Sequence, residues 1–326
     1  MAKPYLDASE PRFSLRIGST SARYALVLVG SAAAVLGACY AFIGPHTAQA
    51  GYLSIMVLLS AARAPSKRYR YIAAAWAVFV AMLGYLVGPL GLWATLIALM
   101  AVSLVQGLFK FGEVAFLTRS PVNLIAFAAI SHGEVRPWQV LFGSVIGAGF
   151  ILLMTSMLPA RTEGNDRQVP VADRLRYGVM VALGAVSIVL LAEALSFAHA
   201  DWALLTFCVI LAVGGDRRAE RATDRVIGSL TGVVLATLAT LAPVPVQLAV
   251  ALASLLLCVA YLREANYTMF VTFLTPAILL TTASEGSAVS LGVQRIEAVV
   301  AAAVIAVFCS WLFERRVPSG SEVGDL

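Results

Sequence analysis

Residues 177–197 read YGVMVALGAVSIVLLAEALSF, with Glu193 the one charged position and Arg174 and Arg176 just before it. A helix crosses the hydrocarbon core of a bilayer with about 20 apolar residues, and about 17 is the lower limit. Lipid offers no partner for backbone N–H and C=O groups, so such a run closes its own hydrogen bonds as a helix. A barrel strand would alternate apolar and polar residues, and this stretch does not. It reads as a transmembrane helix.

The same reading extends outward in both directions. Apolar runs precede it at 24–42, 51–62, 71–87, 90–108, 114–130 and 138–158, and follow it at 202–213, 226–241, 246–262, 267–282 and 296–313. Of the 326 residues, 60% are hydrophobic and 13% charged, against roughly 25% charged in a soluble domain. The charges lie between the runs. Arg12, Arg16 and Arg23 precede the first, Arg63 to Arg70 follow the second, and Arg161 to Arg176 follow the sixth. Arg217 to Arg225 follow the eighth, and Arg315 and Arg316 the twelfth. If every run crosses, these fall on one side, and the other side keeps only Arg136 and Arg295. The positive-inside rule then places both termini in the cytoplasm of an inner-membrane protein.

Other readings of the composition fail. A net charge of +5 distributed in this way is topology, not a nucleic-acid patch. Cys39, Cys208, Cys258 and Cys309 each sit inside an apolar run without paired spacing, as buried small hydrophobes do. Residues 1–22 are polar and basic, so no cleavable signal is expected. No Gly-x-x-x-x-Gly-Lys-Ser/Thr loop, Ser/His/Asp grouping, metal cluster or dinucleotide fingerprint occurs, so neither an enzyme nor a cofactor is expected.

The two sets of six runs resemble each other. Arg23-Tyr24 recurs as Arg176-Tyr177 and His46 as His199, both 153 residues on. Arg70 recurs as Arg225, Pro121 as Pro276 and Gln139 as Gln294, each 155 residues on. The pattern predicts an all-α integral membrane protein with about twelve transmembrane helices in two parallel six-helix repeats. Its parts are an N-terminal segment (1–22), a first repeat (23–158), a cytoplasmic linker (159–176), a second repeat (177–313) and a tail (314–326).

Repeated membrane halves commonly hold a solute site where they meet, at short or Pro-interrupted helices in matching positions. The second and eighth runs are the short pair, and Pro121 and Pro276 are the matched helix breaks. A proline frees a carbonyl one turn earlier. Ser120, Asn123, Asn266 and Thr275 stand ready to serve that carbonyl or to face a solute, and a packed kink is the competing reading. Arg119 falls well inside the fifth run, and its repeat counterpart is Leu274. A guanidinium there forks onto a carboxylate solute, pairs internally, for instance with Glu193, or snorkels to the cytoplasmic interface. Glu193 is the candidate proton-coupling carboxylate, with a hydrated position near the surface as the alternative. Arg295 and Glu297 read as an outer vestibule or an interfacial charge pair, and Arg217, Arg221 and Arg225 as a basic face over anionic headgroups.

Asp201-Trp202-Ala203-Leu204-Leu205-Thr206, followed by Arg225-Val226-Ile227-Gly228-Ser229-Leu230-Thr231-Gly232, resembles the fusaric acid resistance / aromatic acid exporter family. Tyr267, Thr272, Thr275-Pro276 and Arg295-Ile296-Glu297 fit the same pattern. The likeness is clearest over about residues 200 to 313, and 23 to 158 look like a degenerate copy. It implies an inner-membrane exporter of aromatic or other organic acids driven by the proton gradient. Plant aluminium-activated malate transporters, which are anion channels, are distantly similar. Ser229 stands where the family usually has Thr, and only residues 159–176 and a short tail stand where full-length members carry cytosolic domains. The expectation is a secondary transporter exporting small organic anions, with the aromatic carboxylates of that family as the expected class. A passive organic-anion channel and a non-transport membrane subunit are the rivals. Its expected partners are the anion and the lipid bilayer, with homo-oligomerisation left open and nucleic acid excluded.

Overall fold

In the computed structural model, the described residues are 13, 15–59, 66–108, 110–111, 114–115, 119–130, 134–157, 170–197, 199–214, 217–282 and 288–314. Each of the twelve apolar runs holds a helix. The first six are α1 (Ser19–Phe42), α2 (Pro45–Leu58), α3 (Lys67–Val87), α4 (Leu92–Leu108), α5 (Ser120–Ala128) and α6 (Pro137–Met157). The rest are α7 (Val171–Ala194), α8 (Ala200–Leu211), α9 (Arg218–Ala239), α10 (Val244–Glu264), α11 (Tyr267–Thr282) and α12 (Ala288–Glu314). A hairpin of two-residue strands, β1 (Lys110–Phe111) and β2 (Val114–Ala115), precedes α5. The protein is an all-helical membrane protein, and seven helices (α1, α3, α6, α7, α9, α10 and α12) are long and apolar enough to cross a bilayer.

The fifth run differs most from its sequence reading. Instead of one helix over 114–130, the chain makes the hairpin and then begins the nine-residue α5 at Ser120. Pro121 stands in the first turn of α5, where its missing N–H costs nothing and its fixed φ suits the start of a helix. It therefore starts a helix rather than breaking one, and Arg119 is the residue before the helix, not one deep within it. Pro276 does lie inside α11.

The short helices are the inner ones. In α8, eight of twelve residues are buried, including Leu204, Phe207, Ile210 and Leu211 at 0% exposure, and α11 is buried nearly all round. A twelve-residue helix is about 18 Å long, well under the roughly 30 Å hydrocarbon core. Helices sheathed by protein need not span that core, because their ends do not meet lipid. The long helices surround them and turn Leu26, Val27, Leu248, Leu252, Val300 and Val304 outward, as lipid-facing surface requires.

Between helices in a bilayer, close packing replaces hydrophobic burial as the driving force, and small residues permit it. Gly84 of α3 and Gly88 just after it lie against the carbonyls of Leu124 and Ala128 on α5. Gly143 and Gly147 of α6 lie against those of Thr47 and Gly51 on α2. Gly107 of α4 meets Gly178 of α7, where an added Cβ would fall 2.5 Å from the Gly178 Cα. The main pairings are α2 with α6, α8 with α12, α3 with α5 and α6, α9 with α11 and α12, α4 with α7, and α10 with α11 and α1.

The α4–α7 contact yields a clean comparison. Gly107→Leu should destabilise the fold by about 1–3 kcal/mol through overpacking. Gly30→Leu, at an α1 position with nothing within 4 Å, should leave it unchanged. Thermal unfolding followed by size-exclusion chromatography in detergent checks both; equal midpoints would show that the crossing tolerates side chains.

Candidate functional site

The first turns of α9 carry Arg218, Arg221 and Arg225, and the packing of the helix decides where they point. A Cβ on Gly228 would come within 2.8 Å of the Thr268 carbonyl oxygen, and one on Gly232 within 2.6 Å of that of Thr272. Residues 221, 225, 228 and 232 follow the spacing of a single helix face. The contact that seats α9 on α11 thus aims Arg221 and Arg225 at the start of α11. There the Arg221 Cζ lies 3.9 Å from the centroid of the Tyr267 ring, a cation–π contact. Arg225 is 1% exposed; its Nε donates to Thr206 Oγ1 at 3.3 Å and its Nη1 to the Tyr267 hydroxyl at 3.4 Å. Its Nη2 is buried without a hydrogen-bond partner.

Both arginines reach a cavity of about 420 Å³. Arg119 is the third cation in its wall, its Nη1 donating at 3.4 Å to the carbonyl of Met56 in the last turn of α2, where helix carbonyls lack intrahelical donors. Gln106, Asn266, Tyr52, Tyr177, Tyr261 and Tyr267 supply further polar atoms, and most of the remaining wall is aliphatic. Among the described residues no Asp or Glu lines the cavity. Three guanidinium groups in a low-dielectric wall create a field for an anion, and their forked donors match a carboxylate. The volume lies in the range of small-molecule sites.

A further buried arginine, Arg295 of α12, lies along α8. Trp202 is one helical turn from Thr206, and the Arg295 Cζ is 5.1 Å from the Trp202 ring centroid. Arg295 is 0% exposed, and its Nε, Nη1 and Nη2 have no hydrogen-bond partner. The His199 ring stacks on Trp202 with centroids 4.0 Å apart.

Of the residues singled out in the sequence, Arg119 and Asn266 line the cavity. Ser120, Asn123 and Thr275 are buried but engaged in packing. The Ser120 N–H donates to Gln106 Oε1 at 2.9 Å and its hydroxyl accepts from Trp76 Nε1 at 3.0 Å. Asn123 Nδ2 donates to the Ala77 carbonyl at 2.8 Å, and Thr275 Oγ1 to that of Val271 at 3.1 Å. Glu193 is exposed in the last turn of α7 and takes no part in the cavity wall. The vestibule expected from Arg295 and Glu297 does not form. Two residues apart on a helix point roughly 200° apart, and Arg295 faces the interior while Glu297 is exposed.

Sequence reasoning missed Arg221, Arg225, Gln106 and the four tyrosines. Arg221 and Arg225 looked like surface charge because they flank an apolar run. The signal was their register with Gly228 and Gly232, which makes the basic face and the packing face one face. Among the described residues, no group of three or more His, Cys, Asp or Glu is placed to hold a metal ion.

No curated protein and no solved structure gives a significant match to the chain. A family model, that of the fusaric acid resistance protein-like family, matches residues 185–309. The matched segment contains Trp202, Thr206, Arg221, Arg225, Tyr267 and Arg295; Arg119 and Gln106 lie before it. Over residues 185–309 the chain is therefore similar to the fusaric acid resistance protein-like family.

Proposed function

We propose that the protein is a secondary transporter that exports small organic anions with an apolar or aromatic body, aromatic carboxylates among them. One observation carries this reading: among the described residues, three arginines and no carboxylate line an otherwise largely apolar cavity inside a helical membrane protein. The carboxylate takes the guanidinium end, near Arg221, Arg225 and Arg119, and the ring or chain takes the aliphatic wall. The family likeness supports transport rather than catalysis, and it is the ground for proposing the proton gradient as the driving force. A passive anion channel remains the rival; Arg295, with its free donors one turn along α8 from the Arg225 contact, gives an anion a second foothold under either mechanism.

Two further parts of the reading belong here. The chain is two related six-helix halves, a view supported by matching pairings: α2–α6 with α8–α12, α3–α5 with α9–α11, and α4–α7 with α10–α1. Both termini are cytoplasmic in an inner membrane, a view supported by the one-sided Arg and Lys distribution. Reporter fusions after Arg176 and Arg225 should then read cytoplasmic, and fusions at Thr47 and Ala200 external. A cytoplasmic signal at Thr47 or Ala200 would refute full crossing by the short helices.

The test of function is benzoate binding and flux with purified protein in liposomes. Arg225→Gln should weaken binding about tenfold, the loss of one charge-assisted contact. Arg119→Lys should weaken transport while the protein still inserts, because an ammonium cannot reproduce the fork. Glu193→Gln should transport normally, since the carboxylate is exposed away from the cavity. Unchanged binding in a well-folded Arg225→Gln would remove the cavity from the mechanism. Flux that ignores an imposed proton gradient would favour the channel.

A further inference from the structure

We infer that the cavity opens sideways into the bilayer between α1 and α10, and that its ligand is an amphiphilic carboxylate drawn from the membrane leaflet rather than only from water. This inference rests on the anion-binding reading of the cavity. α1 and α10 are held together at one end. The Gly18 N–H donates to Glu264 Oε1 at 3.2 Å, and the Arg263 Cζ lies 4.4 Å from the centroid of the Tyr24 ring. Just beyond, Ala25 and Leu28 share a buried cluster with Val259 and Ala260. Farther along, both helices turn residues into the cavity: Ala32, Ala33 and Leu36 from α1, and Leu252 and Leu255 from α10.

Two of these residues mark a mouth. Ala33 and Leu252 line the cavity and are also exposed, Leu252 at 56%. A residue that faces both the cavity and the outside stands at an opening. The neighbouring outer surface is Leu26, Val27 and Leu248, so the opening faces lipid. The α4–α7 pair shows what closes such a seam. There Gly107 and Gly178 touch backbone to backbone. Leu262 stands 155 residues after Gly107 and Ala25 stands 153 before Gly178. Neither place holds a glycine, so α1 and α10 lack that glycine-to-glycine contact.

Depth agrees with an amphiphile. Residues 28–36 lie about 14–26 Å from the start of α1, at mid-bilayer depth. Arg225 lies about 10 Å from the start of α9, and α9 begins on the same side as α1 if every helix crosses. A carboxylate held at Arg221 and Arg225 would thus sit near one interface, with its chain running toward the bilayer centre along α1. That is the posture of a single-chain amphiphile in a leaflet, so it can pass between α1 and α10 without turning over.

The probe is undecanoate brominated at its terminal carbon, added to the full chain in phosphatidylcholine nanodiscs, with benzoate as competitor. Bromine quenches tryptophan on contact. Ala33→Trp should show a saturable quenching component that the unmodified chain lacks. Adding Arg225→Gln should weaken that component about tenfold, and benzoate should displace it. Leu252→Trp serves as an independent reporter on the facing helix. Quenching that rises only linearly, as from bulk lipid, in both reporters while benzoate still binds would overturn the lateral opening and leave the cavity reading standing. Absence of benzoate binding in the unmodified chain would instead remove the cavity reading and this inference with it. A dimer that both reporter substitutions dissociate would assign the seam to a second copy and also overturn the proposal.

Discussion

Arg225 sits at 1% exposure with its Nε on Thr206, its Nη1 on Tyr267 and its Nη2 unpaired. A permanently charged group inside a membrane protein is costly to hold, and the fold is arranged around holding it. α8 supplies Thr206 and α11 supplies Tyr267, and α9 is held against α11 by Gly228 and Gly232. Thr272, whose carbonyl Pro276 leaves without its helical donor, is the residue that Gly232 approaches. The proline, the two glycines and the arginine thus form one assembly. A side chain at Gly232 would push α11 away and withdraw Tyr267 from both arginines.

The same economy governs the layering. Short helices carry the polar contacts of the interior, and long helices shield them from lipid. α5 and α8 are shorter than the hydrocarbon core is thick, yet they contribute some of the least exposed side chains in the protein, such as Leu124, Phe127, Leu204 and Phe207. Placing Arg119 before α5 and Thr206 within α8 brings polar groups to the protein interior without exposing them to hydrocarbon.

Much of the fold was legible in the sequence. All twelve helices fall on apolar runs, because an unbroken apolar stretch in lipid has no alternative to helix. The fifth was misjudged, since hydropathy over 114–130 does not register that Pro121 favours the first turn of a helix over its middle. The site was less legible. Arg119 and Asn266, which line the cavity, were singled out because a charge or amide amid apolar residues stands out. Arg221 and Arg225 were not, because a cluster between two runs looks like a cytoplasmic loop until the register with Gly228 is followed down the helix. Glu193 misled for the opposite reason. It lies in an apolar run, but in the last turn of α7 and on the outer face, where burial never acts on it. Arg295 was placed at the surface because it precedes the most apolar part of its run, whereas α12 begins seven residues earlier and buries it.

The shortness of α8 also has an electrical meaning. Wherever polar or water-filled space approaches a helix of about 18 Å from either end, the membrane potential falls across that length instead of the full hydrocarbon thickness. The field along α8 is then stronger than in the surrounding lipid, and Thr206, the partner of Arg225, lies within it. A monovalent anion crossing such a zone exchanges about 2.3 kcal/mol with the potential for every 100 mV. With the cell interior negative, that exchange favours outward movement, so under the proposed export function a short helix beside buried arginines would turn the resting voltage into a bias for anion release.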